Sequence, residues 1–260
     1  MLHGARNAVG GLAREAVSVG VTAALWPFGF ADRGASDIQR MLQRSWAEVD
    51  TPVLLVHGFA ANKSNWLFLQ RDLRAGGFGH VHALNYNPLT ADIPRIAADC
   101  VTRARALMAA TGSDRVHLVG HSLGGIVARY AVLVGGLSEA ATCFTVASPH
   151  QGVAGARLGV GRTIRQLRPG STVLRTMVAA SQPVPTRFVA YWSTLDLLVP
   201  GSRARIVEPG LRAANVCIPD EGHLSILLSR RLVGSVLHEL GAVEGLPGYG
   251  TPLAGLRHAA

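Results

Sequence analysis

The chain has 260 residues, 48% of them hydrophobic and only 6% aromatic, which is enough apolar material for one large core and argues against a second domain. Its formal charge of +9 comes almost wholly from arginine, with Lys63 the single lysine, so the excess reads as compositional bias and no nucleic-acid partner is expected. Cys100, Cys143 and Cys217 stand far apart in apolar stretches, a spacing that suits neither a disulfide framework nor a zinc site and predicts buried, inert thiols.

Residues 1–50 read as an N-terminal helical segment. From Asn7 to Leu25 the pattern is helical and apolar on most faces, Trp26-Pro27-Phe28-Gly29-Phe30 breaks it, and a shorter polar helix is predicted over 36–49. The uncharged run from Ala16 to Ala31 is shorter than the roughly 20 residues a membrane span needs and contains Pro27, so it is expected to pack on the body or rest at a membrane surface. Gly29 and Ala31 would suit a signal cleavage site, but the apolar run comes late and Glu15 sits at its edge. The expected location is cytoplasmic, with peripheral membrane contact and secretion both left open.

Val53-Leu54-Leu55-Val56 is a continuous apolar run that ends at His57-Gly58, as a strand buried on both faces of a parallel sheet would. A helix over 65–73 is ended by Gly76-Gly77, a strand over 80–84 by Tyr86-Asn87-Pro88, and a long amphipathic helix follows from Ile93 to Ala110. Further strands are predicted over 116–119, 142–147, 187–192 and 214–219, with a closing helix over 224–240 and a loose tail over 241–260. This alternation implies an α/β fold occupying 51–240: a mostly parallel central sheet of about six strands, helices on both faces, right-handed connections. The Gln151–Pro185 connection is far longer than an ordinary loop of about 2–6 residues. It mixes apolar and arginine side chains and is expected to be a small cap or lid, with a solvated crossover as the alternative.

Before Gly120-His121-Ser122-Leu123-Gly124 comes an apolar strand, and after it Ile126, Val127, Tyr130, Ala131 and Val134 recur at helical spacing. Gly-x-Ser-x-Gly in that context predicts a nucleophile elbow, a strained turn on which the Ser122 hydroxyl stands clear of the sheet. Acyl transfer from such a serine needs a base, an acid that orients it and two backbone donors for the oxyanion, and the acid and base follow the serine in chain order. His57, His117 and His121 are thereby excluded as base, leaving His150, His223, His238 and His258. His223 is favoured because it lies between the last strand and the closing helix. Asp196, the lone charge between Arg187 and Arg203, is the favoured acid, with Asp220 as its rival. The N–H groups of Phe59 and Leu123 are the expected oxyanion donors, His57 is expected to shape the turn before Phe59, and Trp66 reads as core in preference to substrate wall.

Val56-His57-Gly58-Phe59, Gly120 to Gly125, Ala147 to Gly152, the Asp196 loop and Gly222-His223-Leu224 together resemble the bacterial lipases and esterases of the α/β-hydrolase fold, over about Pro52 to Leu240. The resemblance implies Ser122 as nucleophile, His223 as base, Asp196 as its orienter, and a small carboxylic ester, often a lipid ester, as substrate. No cofactor is expected. Larger calcium-binding lipases carry an aspartate two residues after the base where this chain has Ser225, so no structural calcium is expected. Acyl transfer to an alcohol or thioester hydrolysis would use the same three residues. A non-catalytic binding protein of the same fold is the alternative of another class, but such a chain would be free to lose its serine or histidine.

Overall fold

The computed structural model describes residues 2–30, 49–157 and 161–249; all but Val49 of the helix expected over 36–49, and the tail from residue 250, lie outside them. Six strands, β1 (Val53–Val56), β2 (Val81–Leu84), β3 (Val116–His121), β4 (Ala140–Val146), β5 (Arg187–Trp192) and β6 (Ala214–Cys217), form one sheet in the order β2-β1-β3-β4-β5-β6. Every neighbouring pair is parallel.

A parallel sheet has its crossover helices on both faces, so its strands must be apolar at successive positions. In β1, Leu54 and Val56 join the core on one face while Val53 and Leu55 join the core on the other. The first face is covered by α3 (Ile93–Thr111) and α4 (Leu123–Leu133), through Ile96, Cys100, Ala104, Ile126 and Val127. The second is covered by α2 (Leu67–Ala75) through Leu69 and Leu73, and by a C-terminal helix, Arg230–Glu244, through Leu232, Val236 and Leu240. Trp66, which precedes α2, is fully buried in that second core. Local chemistry sets the helix ends. Asp92 caps α3 by accepting from the Arg95 N–H at 3.1 Å, and Gly112 closes it in the left-handed region at φ 73°.

Several expected boundaries shift. The closing helix does not begin at Leu224: a 3-10 turn over Ser225–Leu228 comes first, ended by Ser229, and the α-helix starts at Arg230. It runs on through Gly241 to Glu244, where Gly245 at φ 69° stops it, so the tail is shorter than the glycine content implied.

Gln151–Pro185 is the segment in which a small cap was expected. Short helices α5 (Arg162–Gln166) and α6 (Thr172–Ala179) do form there. Most of their apolar side chains face inward: Leu167, Val173, Leu174 and Met177 belong to the core beneath α3 and α4, while Val178 is 52% exposed. Gln166 Oε1 accepts from the Ile93 N–H at 2.8 Å, tying the segment to the start of α3. Arg162, Arg165 and Arg175 stay exposed because charges are costly to bury, while Leu167 and Leu174 between them satisfy the core.

At the other end of the chain, α1 (Leu2–Leu25) packs on the body, and among its described positions Gly11 and Ser18 are the buried ones. Among the described residues, no helix is long and apolar enough to cross a membrane.

Candidate active site

The chain passes from β1 to β2 on one side and returns across β1 to β3 on the other, so the loops leaving β1 and β3 diverge at their carboxyl ends. Open α/β sheets hold ligands in the crevice at such a switch point. The turn after β1, with Gly58 and Phe59, and Ser122 after β3 stand there.

Ser122 occupies φ 53°, ψ −120°, a conformation an L-residue adopts only under strain. Packing enforces it. The Ser122 N–H donates to the Val146 carbonyl at 2.8 Å, and a Cβ on Gly124 would lie 2.0 Å from the Val56 carbonyl oxygen, so α4 can lie against β1 only because this position is glycine. Leu123 opens α4, where its N–H has no acceptor within the helix.

His223 Nε2 lies 3.0 Å from Ser122 Oγ, and its Nδ1 lies 2.8 Å from Asp196 Oδ2. The second oxygen of Asp196 accepts from the N–H groups of Leu198 at 2.9 Å and Val199 at 2.8 Å, which fixes the carboxylate plane. With Oδ1 saturated by two donors, Oδ2 faces the imidazole and places the ring proton on Nδ1, leaving Nε2 as an acceptor toward the serine. The rival acid, Asp220, donates from its N–H to Thr194 Oγ1 at 3.1 Å and accepts at its carbonyl from Arg14. His150 is buried beside Thr145 and Arg129, His238 lies on the C-terminal helix, and His258 falls outside the described residues.

The other two histidines near the site are structural supports. His121 Nε2–H donates to the His223 carbonyl at 2.9 Å, and burial together with the neighbouring His223 ring depresses its pKa to about 3. His57 stacks on Tyr86 with centroids 4.1 Å apart, donates from Nδ1 to the Gly58 carbonyl at 2.9 Å, and is pushed down to about 4 by burial. Both rings therefore stay neutral at pH 7 and act as neutral hydrogen-bonding spacers.

Above Ser122 and His223 opens a cavity of about 450 Å³, within the range of small-molecule sites. Phe59, Ala60 and Ala61 form one side of it, and Leu195, Leu197 and Leu198 another. No described residue of 151–185, where a lid was expected, lines it, and Leu167, Val173 and Leu174 of that segment are buried in the core. The remaining wall is α1, with Gly11, Leu12 and Glu15. Sequence reasoning missed this contribution; the available signal was Glu15 itself, a solitary carboxylate at the edge of an uncharged run. Among the described residues no group of histidine, cysteine or acidic side chains is arranged to hold a metal ion.

Residues 53–182, half of the chain, match the model of the alpha/beta hydrolase family. A triacylglycerol lipase of Pseudarthrobacter phenanthrenivorans is 31% identical over 116 residues, 42% of this chain and 36% of the relative. One of Burkholderia plantarii is 31% identical over 116 residues, 42% of this chain and 32% of that lipase. The match thus spans about a third of the length of these curated relatives. Mature Bacillus licheniformis lipase BlEst2 superposes with a TM-score of 0.63 at 18% identity, covering 73% of this chain and 91% of that one. Aspergillus fumigatus lipase B gives 0.60 at 16% identity, covering 74% and 52%. At such identities the structural likeness is one of fold. The matched segment carries the turn at Phe59 and the Ser122 elbow on the strands that the fold requires, and by that match the chain belongs to the alpha/beta hydrolase family.

Proposed function

We propose that this protein is a serine hydrolase of carboxylic esters, with lipid esters as its substrate class. The observation that carries the reading is the unbroken hydrogen-bonded series from Ser122 through His223 to Asp196 at the floor of an apolar cavity. In this reading Ser122 Oγ attacks the ester carbonyl while His223 Nε2 takes its proton, and the imidazolium is stabilised by Asp196. The N–H groups of Phe59 and Leu123 hold the oxyanion. Collapse expels the alcohol, which takes the proton from Nε2, and leaves an acyl-serine; water activated by the same nitrogen then frees the acid. Lipid esters are favoured over small polar ones by the rim. Leu12, Leu197 and Leu198 at the cavity mouth are 54%, 82% and 56% exposed, and exposed apolar side chains clustered around an opening suit a surface that meets acyl chains. The same rim supports peripheral contact with a lipid surface.

The test is a series of p-nitrophenyl esters from short to long acyl chains together with emulsified triacylglycerol, in parallel with labelling by a fluorophosphonate. Turnover and labelling are expected in the wild type and are both lost in Ser122→Ala. Labelling that persists in the variant overturns Ser122 as nucleophile, and absence of turnover on every ester overturns the function.

A further inference from the structure

We infer that Glu15, on the N-terminal helix, is a positioning residue for His223. The inference rests on the ester-hydrolase reading and deepens it by making α1 part of the catalytic apparatus. His223 sits on a loop, and a loop histidine holds a reactive geometry only when its backbone is fixed. Ser193 Oγ bridges the start of this loop, donating to the Glu221 carbonyl at 2.6 Å and accepting from the Glu221 N–H at 3.0 Å. His121 holds the His223 carbonyl. The two N–H groups that immediately follow His223 are left, and both are taken by one carboxylate more than two hundred positions away in sequence. The Leu224 N–H donates to Glu15 Oε1 at 3.0 Å and Oε2 at 3.1 Å, and the Ser225 N–H donates to Oε2 at 2.8 Å. Charge-assisted bonds of this kind are stronger than neutral ones and hold their geometry accordingly.

Two glycines show that the contact is built into the chain. A Cβ on Gly11 would lie 2.3 Å from Leu195 Cδ1 and 2.9 Å from the Asp220 carbonyl oxygen, so one turn before Glu15 the helix can approach the loops only without a side chain. On the facing loop, a Cβ on Gly222 would lie 2.4 Å from Glu15 Oε2, in the space the carboxylate occupies. Arg14 adds an ion pair to Glu221 at 3.3 Å. Helix and loop are thus fitted to each other at Gly11, Glu15 and Gly222. Neither the relay from Ser122 to Asp196 nor the sheet requires that fit; what it does is immobilise the peptide units beside the base.

The experiment uses the full chain and p-nitrophenyl acetate, whose short acyl group has little reach toward the α1 wall. Rates are normalised to the fraction of Ser122 that a fluorophosphonate labels to completion, so that loss of folded protein does not register. Glu15→Ala is expected to lower kcat by about tenfold to a hundredfold, the range produced by small displacements of a reacting group, with KM little changed. Glu15→Gln, which keeps one acceptor oxygen, should recover part of the loss. Gly222→Ala leaves the glutamate in place but pushes its carboxylate off the N–H groups, so it should lower kcat in the same way. Because both substitutions break one contact, the double variant should be no slower than the slower single variant. Wild-type kcat in Glu15→Ala, whatever its melting temperature, overturns the inference, as do losses that multiply in the double variant. A wild type inactive on every ester instead overturns the hydrolase reading, and this inference with it.

Discussion

Replacement of Asp196 by asparagine has a consequence that can be worked out from its three hydrogen bonds. The carboxylate accepts from Leu198 N–H and Val199 N–H through one oxygen and from His223 Nδ1 through the other. An asparagine has one oxygen and one NH2 group to divide between these two sides. If its oxygen faces His223, the NH2 group confronts two N–H donors, the buried one of Val199 and the part-buried one of Leu198, that lose their acceptor at about 2 kcal/mol each. If its oxygen stays with Leu198 and Val199, the NH2 group faces Nδ1, and the ring must carry its proton on Nε2. The second arrangement wins by about 4 kcal/mol, which leaves the competent tautomer at about one part in a thousand. Losing the charge that stabilises the imidazolium removes more, so kcat for a soluble ester should fall by about 10³ to 10⁴. Asp196 does not line the cavity, and KM should hold. Steady-state kinetics of Asp196→Asn beside Asp220→Asn decide the matter, the latter expected to stay within about threefold of wild type because its main-chain bonds survive. A fall of less than tenfold in Asp196→Asn, or an equal fall in Asp220→Asn, would refute the reasoning.

The site histidines predict acid sensitivity: His57 and His121 have folded pKa values of about 4 and about 3, below the ordinary 6.5, so their contribution is whole above pH 6.5 and is lost as pH falls from there. At about 1.4 kcal/mol per pH unit for each ring, the two together withdraw about 4 kcal/mol at pH 5, and a melting temperature unchanged between pH 7.5 and pH 5 would contradict this. His82 and His150 are depressed in the same direction and add to the effect. For the apolar rim, Leu197→Ser with Leu198→Ser should impair hydrolysis of emulsified triacylglycerol far more than that of p-nitrophenyl acetate; equal loss on both substrates counts against a lipid-facing rim. Leu174, 5% exposed in the core, should behave as a core residue when changed to serine, costing about 2–5 kcal/mol of stability by thermal or urea unfolding while the folded fraction keeps its turnover. Unchanged stability with a selective loss on emulsions would instead support a lid role for residues 151–185.

The sequence alone determined the order of strands and helices and the position of Ser122, because both are written locally. A strand buried on two faces must be an unbroken apolar run, as in Val53–Val56, and a serine held at φ 53° between a strand and a tightly packed helix needs glycine on either side. Chain order also confined the base to the region after Ser122, and the loop before the C-terminal helix contains one histidine. Where apolar residues point is not local. Leu167, Val173 and Leu174 have the same composition whether they face a substrate or a core, and only the packing of α5 and α6 beneath α3 and α4 turned them inward. The choice between Asp196 and Asp220 was likewise open in sequence, since it depends on which side chain turns toward a ring contributed by another loop. The wall formed by α1 lay furthest out of reach. Glu15 and His223 are brought together by the close approach at Gly11 and the space left at Gly222, and such complementarity between distant segments leaves no periodicity in either one.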